Sequence, residues 1–268
     1  MRPLLITALL MLATSSAAAQ LIVAHRGASH DAPENTLAAF KLSWEQGADA
    51  IEGDFYLTGD GKIICIHDSD TKRVSGTDWK VVEKTFDELR TLDVGSWKDK
   101  KFAGERLPSL TEVLATVPAG KRFLIEVKCG PQIVPVLKAD LEKAGANPDQ
   151  LAIISFNAGV IAAAKKELPK VKAYWLTSYK QDKQTQAWSP TIDTVLATLT
   201  RIQADGLSTN AHDVVDAGFV AKLREAKREF HCWTVDDPKV ARRFVKLGVQ
   251  SITTNRPGWL RQQLKDTP

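Results

Sequence analysis

From Leu21 onward, short apolar runs alternate with longer stretches in which hydrophobic and polar positions mix at helical spacing. Leu21-Ile22-Val23-Ala24, Ala48-Asp49-Ala50-Ile51, Arg122-Phe123-Leu124-Ile125-Glu126-Val127 and Leu151-Ala152-Ile153-Ile154-Ser155 have the length and apolar density of buried strands. Residues 171–176, 204–208, 229–234 and 250–253 continue the series and bring it to eight. Between them the spacing predicts helices over 33–46, 132–144, 158–168, 190–202, 213–228 and 238–247. Pro33, Asn157, Asp213 and Asp237-Pro238 mark starts, and Gly47, Gly145 and Gly248 mark stops. Eight β/α units in about 250 residues are what a (β/α)8 TIM barrel needs. A doubly wound open sheet is the alternative, but it brings a glycine-rich phosphate turn after its first strand, and His25-Arg26-Gly27-Ala28-Ser29-His30 is not one.

One stretch breaks the alternation. Residues 69–106 are rich in Lys, Asp, Thr and Gly, carry Trp79 and Trp97, and contain only a short helix-like piece at 86–89. They read as a small inserted subdomain between the second strand and its helix, rooted on a hairpin at 63–66, with the helix beginning near Ser109. A connection that long at the end of a barrel strand is usually functional. The two tryptophans serve either as a stacking surface for a substrate headgroup or as the packing of a small subdomain.

Composition narrows the class. With 268 residues, 44% of them hydrophobic and 25% charged, the chain is long enough for one large core and too ordinary for a disordered or fibrous protein. A single domain over 21–268 is expected. The formal net charge of +4 is small and no Lys/Arg run interleaves with aromatics, so nucleic acid is not an expected partner. Residues 1–20 stand apart: Met1-Arg2-Pro3 is a short positive start, 4–13 are almost purely apolar, and 15–19 are small. They read as a secretory signal cut near Ala19 or Gln20, leaving a secreted or periplasmic chain whose charge drops from +4 to +3 with the loss of Arg2. The segment is too short for a membrane span with normal flanks, no cysteine follows it, and no later run reaches about eighteen apolar residues, so no stable membrane anchor is expected. Export places Cys65, Cys129 and Cys232 in an oxidising compartment; their odd number leaves at least one free or paired between chains, and their apolar settings favour buried thiols.

The polar residues that end the apolar runs point to phosphoester chemistry. His25 closes the first run, Glu52 and Asp54 follow the second, His67 and Asp68 follow Lys62-Ile63-Ile64-Cys65-Ile66, and Glu126 interrupts Leu124-Ile125-Glu126-Val127. Positions i and i+2 of a strand face the same side, so Glu52 and Asp54 can offer carboxylate oxygens to one hard cation. Glu126, acidic within a buried run, needs a metal or a partner such as Lys128. Asp68 fits either an outer ligand or a hydrogen-bond partner of His67, and Glu34, beside Pro33, fits the positive end of a helix. His30, His212 and His231 lack flanking motifs and read as ordinary surface or core residues.

These residues, with His25-Arg26-Gly27, Pro33-Glu34-Asn35-Thr36, Gly47-Ala48-Asp49-Ala50-Ile51-Glu52-x-Asp54, Thr58-x-Asp60-Gly61 and His67-Asp68, resemble the glycerophosphodiester phosphodiesterase family. Gly104-Glu105-Arg106-Leu107-Pro108-Ser109-Leu110, Ile125-Glu126-Val127-Lys128, Ser155-Phe156-Asn157, Trp233-Thr234-Val235 and Thr253-Thr254-Asn255-Arg256-Pro257 follow in the family's order, so the resemblance spans 21–257. It implies a TIM barrel with an inserted subdomain, one divalent cation, Mg²⁺ or Ca²⁺, on Glu52, Asp54 and Glu126, and His25 and His67 as the catalytic acid/base pair. It further implies Arg26 and Lys128 against the phosphate and Trp233 lining the substrate cleft. The family's last strand usually ends in an aspartate where this chain has Asn255, and Gly53 between the two carboxylates is a loosening choice. The implied reaction is metal-dependent hydrolysis of a small glycerophosphodiester to glycerol 3-phosphate and an alcohol such as choline or ethanolamine, by a monomer or dimer. The alternatives are a lysophospholipase D-type phosphodiesterase acting on longer lipids and a non-catalytic phosphodiester-binding barrel.

Overall fold

The computed structural model describes residues 20–265, so the segment read as an export signal, 1–20, lies outside the described residues except for Gln20. β1 (Leu21–Ala24) leads through α1 (Leu37–Glu45) to β2 (Ala50–Leu57), on whose end β3 (Ile63–Cys65) folds back antiparallel. The next segment holds α2 (Lys72–Ser75), α3 (Phe86–Leu89) and, on returning to the barrel, α4 (Leu110–Leu114). β4 (Arg122–Val127), α5 (Val134–Lys143), β5 (Leu151–Ser155), α6 (Ala158–Glu167) and β6 (Lys172–Thr177) continue the alternation. A short hairpin of β7 (Lys180–Gln181) and β8 (Trp188–Ser189) precedes α7 (Ile192–Arg201) and β9 (Gly206–Asn210). The chain closes with α8 (Ala217–Glu225), β10 (Glu229–Trp233), α9 (Pro238–Lys246), β11 (Ser251–Thr254) and α10 (Pro257–Lys265).

Parallel neighbours run β1, β11, β10, β9, β6, β5, β4, β2, and β2 pairs back onto β1 through Val23↔Ala50 and Ala24↔Ile51. That closes a (β/α)8 barrel, as the periodicity predicts, and it removes both sheet edges. Each strand buries both faces. Val23, Ala50, Leu124, Ile154 and Leu176 fill the barrel interior, while Ile22, Ile51, Phe123, Ile153, Leu207 and Ile252 pack outward under the helices. Residues two apart share a face, so β1, β4 and β5 read as nearly unbroken apolar runs until they reach the rim.

Two helices start later than their sequence signals. Asn35 takes the left-handed conformation (φ 58°) and the Thr36 side chain accepts from the Ala39 amide, so α1 starts at Leu37 and Pro33 belongs to the preceding turn. Asp216 rather than Asp213 caps α8, accepting from the Phe219 amide. The stops hold: Gly47, Gly145 and Gly248 all have positive φ, the conformation that favours glycine after a helix. Residues 69–106 build a satellite core in which Val74, Val81 and Leu89 meet Ile64, Ile66 and Leu107, with Trp79 packed against it. Trp79 therefore packs, with the Lys84 ammonium 4.8 Å from its ring centroid, whereas Trp97 stays 43% exposed. Cys65 and Cys232 are buried, and none of the three cysteines is disulfide-bonded. Among the described residues no helix is long and apolar enough to cross a membrane.

Candidate active site

The site is built on the carboxyl end of β2. β4 runs along one edge of that strand, with Asp54 opposite Glu126; the other edge is shared by β1 below and β3 above. His25 follows β1 directly, and His67 lies just past β3, where the Ile66 amide bonds the Asp54 carbonyl. Glu52, Asp54 and Glu126 converge, each offering a carboxylate oxygen, with those atoms all within 4.8 Å of one another, and all three side chains are buried.

Such an arrangement is unfavourable for bare carboxylates. Burial, reinforced by the charges of Asp54 and Glu126, pushes the Glu52 carboxyl well above the usual range. Burial and Asp54 raise Glu126 to about 7 against the pull of Lys128. Burial also opposes ionisation of Asp54, but Lys128 and Arg26 outweigh it and hold that carboxyl low. Two buried oxygens, Glu52 Oε1 and Asp54 Oδ1, have no hydrogen-bond partner. The other oxygens are held: Glu52 Oε2 accepts from the Arg26 amide at 2.9 Å, and Asp54 Oδ2 accepts from Asn35 Nδ2 at 2.9 Å. A hard divalent cation fits this donor set, because it takes oxygen ligands and favours carboxylates already aimed at one point.

The cationic side chains are drawn into the same centre. Lys128 Nζ lies 2.7 Å from Glu126 and 3.4 Å from Asp54, so the carboxylate pairing open to Glu126 in the sequence is realised beside the cluster. Arg26 donates to Glu34 at 2.9 Å and approaches Asp54 at 3.2 Å. Its backbone is left-handed (φ 55°) and Gly27 follows at φ 81°, where an added Cβ would come within 2.6 Å of Ala39. Only glycine fits there. Gly53 is closely packed, and an added Cβ would meet the Phe40 ring at 3.0 Å.

Each histidine has a partner at Nδ1. His67 Nδ1 lies 2.7 Å from Asp68 Oδ1, which settles Asp68 as a hydrogen-bond partner. Asp68 in turn accepts from Arg73 Nε at 2.7 Å, and both terminal nitrogens of Arg73 reach Glu34 at 2.8 Å. Glu34 thus bridges Arg26 and Arg73 and lies outside the helix it was expected to open. His25 Nδ1 lies 2.7 Å from Asn255 Oδ1, and burial followed by the Arg26 charge lowers its imidazole to about 4. Trp233, at the end of β10, stands across the rim and meets Phe156 edge-on with centroids 5.4 Å apart. The remaining histidines lie elsewhere: His30 pairs with Asp31 on the surface, His212 packs on Trp188, and His231 bonds Ser251 inside the barrel.

Asn35, Arg73, Phe156 and Asp236 were not singled out as site residues by the sequence. Asn35 lies in a quoted motif, but its bonds to Asp54 span 19 positions, and those of Arg73 to Glu34 span 39. Nothing local announces them.

A closed parallel barrel whose carboxyl rim gathers buried carboxylates and two histidines has the build of a barrel hydrolase. The chain belongs to the glycerophosphoryl diester phosphodiesterase family, which it matches over residues 25–259. The glycerophosphodiester phosphodiesterase of Caldanaerobacter subterraneus subsp. tengcongensis is 34% identical over 242 residues, covering 88% of this chain and 94% of that one. The corresponding protein of Bacillus altitudinis is 30% identical over 243 residues. Among solved structures, the glycerophosphodiester phosphodiesterase of Agrobacterium tumefaciens superposes with a TM-score of 0.75 at 26% identity, covering 91% of this chain and 99% of that one. An Oleispira antarctica phosphodiesterase, solved with its product sn-glycerol-3-phosphate, shares the fold at a TM-score of 0.81 and 24% identity, over 92% of this chain and 97% of that one.

Proposed function

We propose that this chain hydrolyses glycerophosphodiesters to glycerol 3-phosphate and an alcohol, with His25 and His67 as its proton-transfer groups. The observation that carries this reading is the convergence of Glu52, Asp54 and Glu126 within 4.8 Å, where β4 pairs with one edge of β2 and the strands that lead to His25 and His67 pair with the other. Bound at these carboxylates, a divalent cation, Mg²⁺ or Ca²⁺, supplies Lewis-acid stabilisation of charge on the phosphoryl oxygens. Arg26 and Lys128 add fixed positive charge where the transition state gathers negative charge. A neutral imidazole can remove a proton from the attacking oxygen, and a protonated one can deliver a proton to the departing alkoxide. Two histidines divide those tasks. Trp233 and Phe156 wall the far side of the cleft and give the alcohol an apolar surface. The reading of residues 1–20 as an export signal supports activity outside the cytoplasm, on diesters released from phospholipid.

Glycerophosphocholine turnover, followed as released glycerol 3-phosphate, is expected to vanish on chelation and return with Mg²⁺ or Ca²⁺. His25→Ala and His67→Ala are each expected to lower turnover by about 10²–10⁴-fold, the usual loss for general acid/base groups. Full activity in either variant would falsify the two-histidine scheme, and no turnover of any glycerophosphodiester with any divalent cation would leave only a binding barrel.

A further inference from the structure

His25 is held by more than one residue. Asn255 Oδ1 sits 2.7 Å from His25 Nδ1 and also accepts from Ser29 Oγ at 2.9 Å. The amide nitrogen of Asn255 donates to Asp236 Oδ2 at 2.6 Å, and its backbone N–H donates to Asp236 Oδ1 at 2.8 Å. Thr254 Oγ1 also donates to Asp236 Oδ1, at 2.7 Å. Asp236 is thus fixed from three directions, by residues at and beyond the end of β11.

The orientation of the Asn255 amide follows from its neighbours. A carboxylate only accepts, so the group facing Asp236 must be the NH₂, and the carbonyl must face His25 and Ser29. A carbonyl also only accepts, so His25 Nδ1 must carry the proton. In neutral imidazole that leaves Nε2 unprotonated, and no hydrogen bond to Nε2 is present among the described residues. A carboxylate at position 255 would face Asp236 across the same 2.6 Å, two like charges where one donor and one acceptor now meet.

We infer that Asn255, locked by Asp236, is a positioning residue that sets the tautomer and ring orientation of His25 so that an unprotonated Nε2 is presented to the cleft. Asn255 is then matched to Asp236 as donor to acceptor. This inference rests on the proposed role of His25 for its catalytic consequence, but the tautomer itself can be read without turnover.

The test uses the full mature chain with cation bound, labelled with ¹⁵N-histidine, and reads the His25 ring nitrogens by long-range ¹H–¹⁵N correlation. The Nδ1–H tautomer is expected in the wild type, and an Nε2–H tautomer overturns the inference. Asn255→Leu is expected to lose that signature and to lower kcat by about 10–100-fold, the usual effect of removing a partner that orients a reactive histidine, with KM little changed. The double exchange Asp236→Asn with Asn255→Asp rebuilds the same bonds with donor and acceptor reversed between the two side chains. It is expected to recover most of the kcat lost in Asn255→Asp alone, and a double variant no better than that single one overturns the pairing. If His25→Ala keeps full turnover while the wild-type spectrum shows the Nδ1–H form, the catalytic reading fails and the positioning stands.

Discussion

Glu126 gains proton affinity on folding, because burial and the neighbouring Asp54 outweigh the attraction of Lys128 and lift its carboxyl to about 7. A carboxyl whose folded pKa is raised stays protonated in the native state over a range in which the unfolded chain has already released its proton. Without a cation, its contribution therefore favours the native state at acid pH and declines as pH rises from the ordinary carboxyl value through about 7. A divalent cation held by these carboxylates would take the place of that proton. Calorimetry with and without chelator is expected to show a cation-dependent rise in melting midpoint that is small at about pH 5 and large at about pH 8, as required when ligand binds only the ionised native site. Equal increments at the two pH values would remove Glu126 from the cation's ligands. His25 responds in the opposite sense: its depressed pKa keeps it neutral, so its contribution is intact above the ordinary imidazole value and is lost as pH falls through about 4. The cation increment, rather than the absolute midpoint, isolates the carboxylates. Glu52→Gln is expected to raise the midpoint of the cation-free protein, by removing the cost of keeping a buried acid beside Asp54 and Glu126, while reducing the increment.

The short helix α2 carries one of the links between the inserted segment and the rim. Its Arg73 binds Asp68, the partner of His67, and Glu34, the partner of Arg26, so one guanidinium steadies side chains on both sides of the cleft. Arg73→Ala is expected to lower kcat/KM by about 10-fold or more, as lost support for reactive groups commonly does. Its melting midpoint is expected to move little, because ion pairs with an exposed partner contribute about 0–1 kcal/mol. An unchanged kcat/KM would make the link purely structural. Such links explain what the sequence conceals. The strands were legible because both of their faces are buried, and Glu52, Asp54, Glu126, His25 and His67 were legible because a polar residue that ends or interrupts an apolar run demands an explanation. Asn35 and Arg73 act through partners distant in the chain, and Asp236 meets His25 only through Asn255, so no local pattern marks them. The start of α1 was misplaced because proline at a first helical position looks the same as proline in a turn preceding a threonine cap. The β7–β8 hairpin has two residues per strand, too few to establish a period of two.

Closure of the barrel depends on the two ends of the chain meeting. β1 pairs with β11 along its full length, Leu21↔Ser251 through Ala24↔Thr254, and with β2 through only two positions. A chain ending at Gln250 is expected to fail to fold, giving no cooperative thermal transition, because it leaves β1 and β10 with open edges and leaves His25 without Asn255. A cooperative transition in that truncation would show that the ring closes without its last strand. The inserted segment stands apart from this requirement. Its apolar residues collapse onto the β3 hairpin and the stretch around Leu107, and it enters and leaves the barrel between β3 and α4, where no ring strand is interrupted. The closed ring and the satellite core are therefore built on separable lengths of chain. Residues 69–106 reach the rim through Arg73, which holds Glu34 and Asp68 from outside the ring of strands.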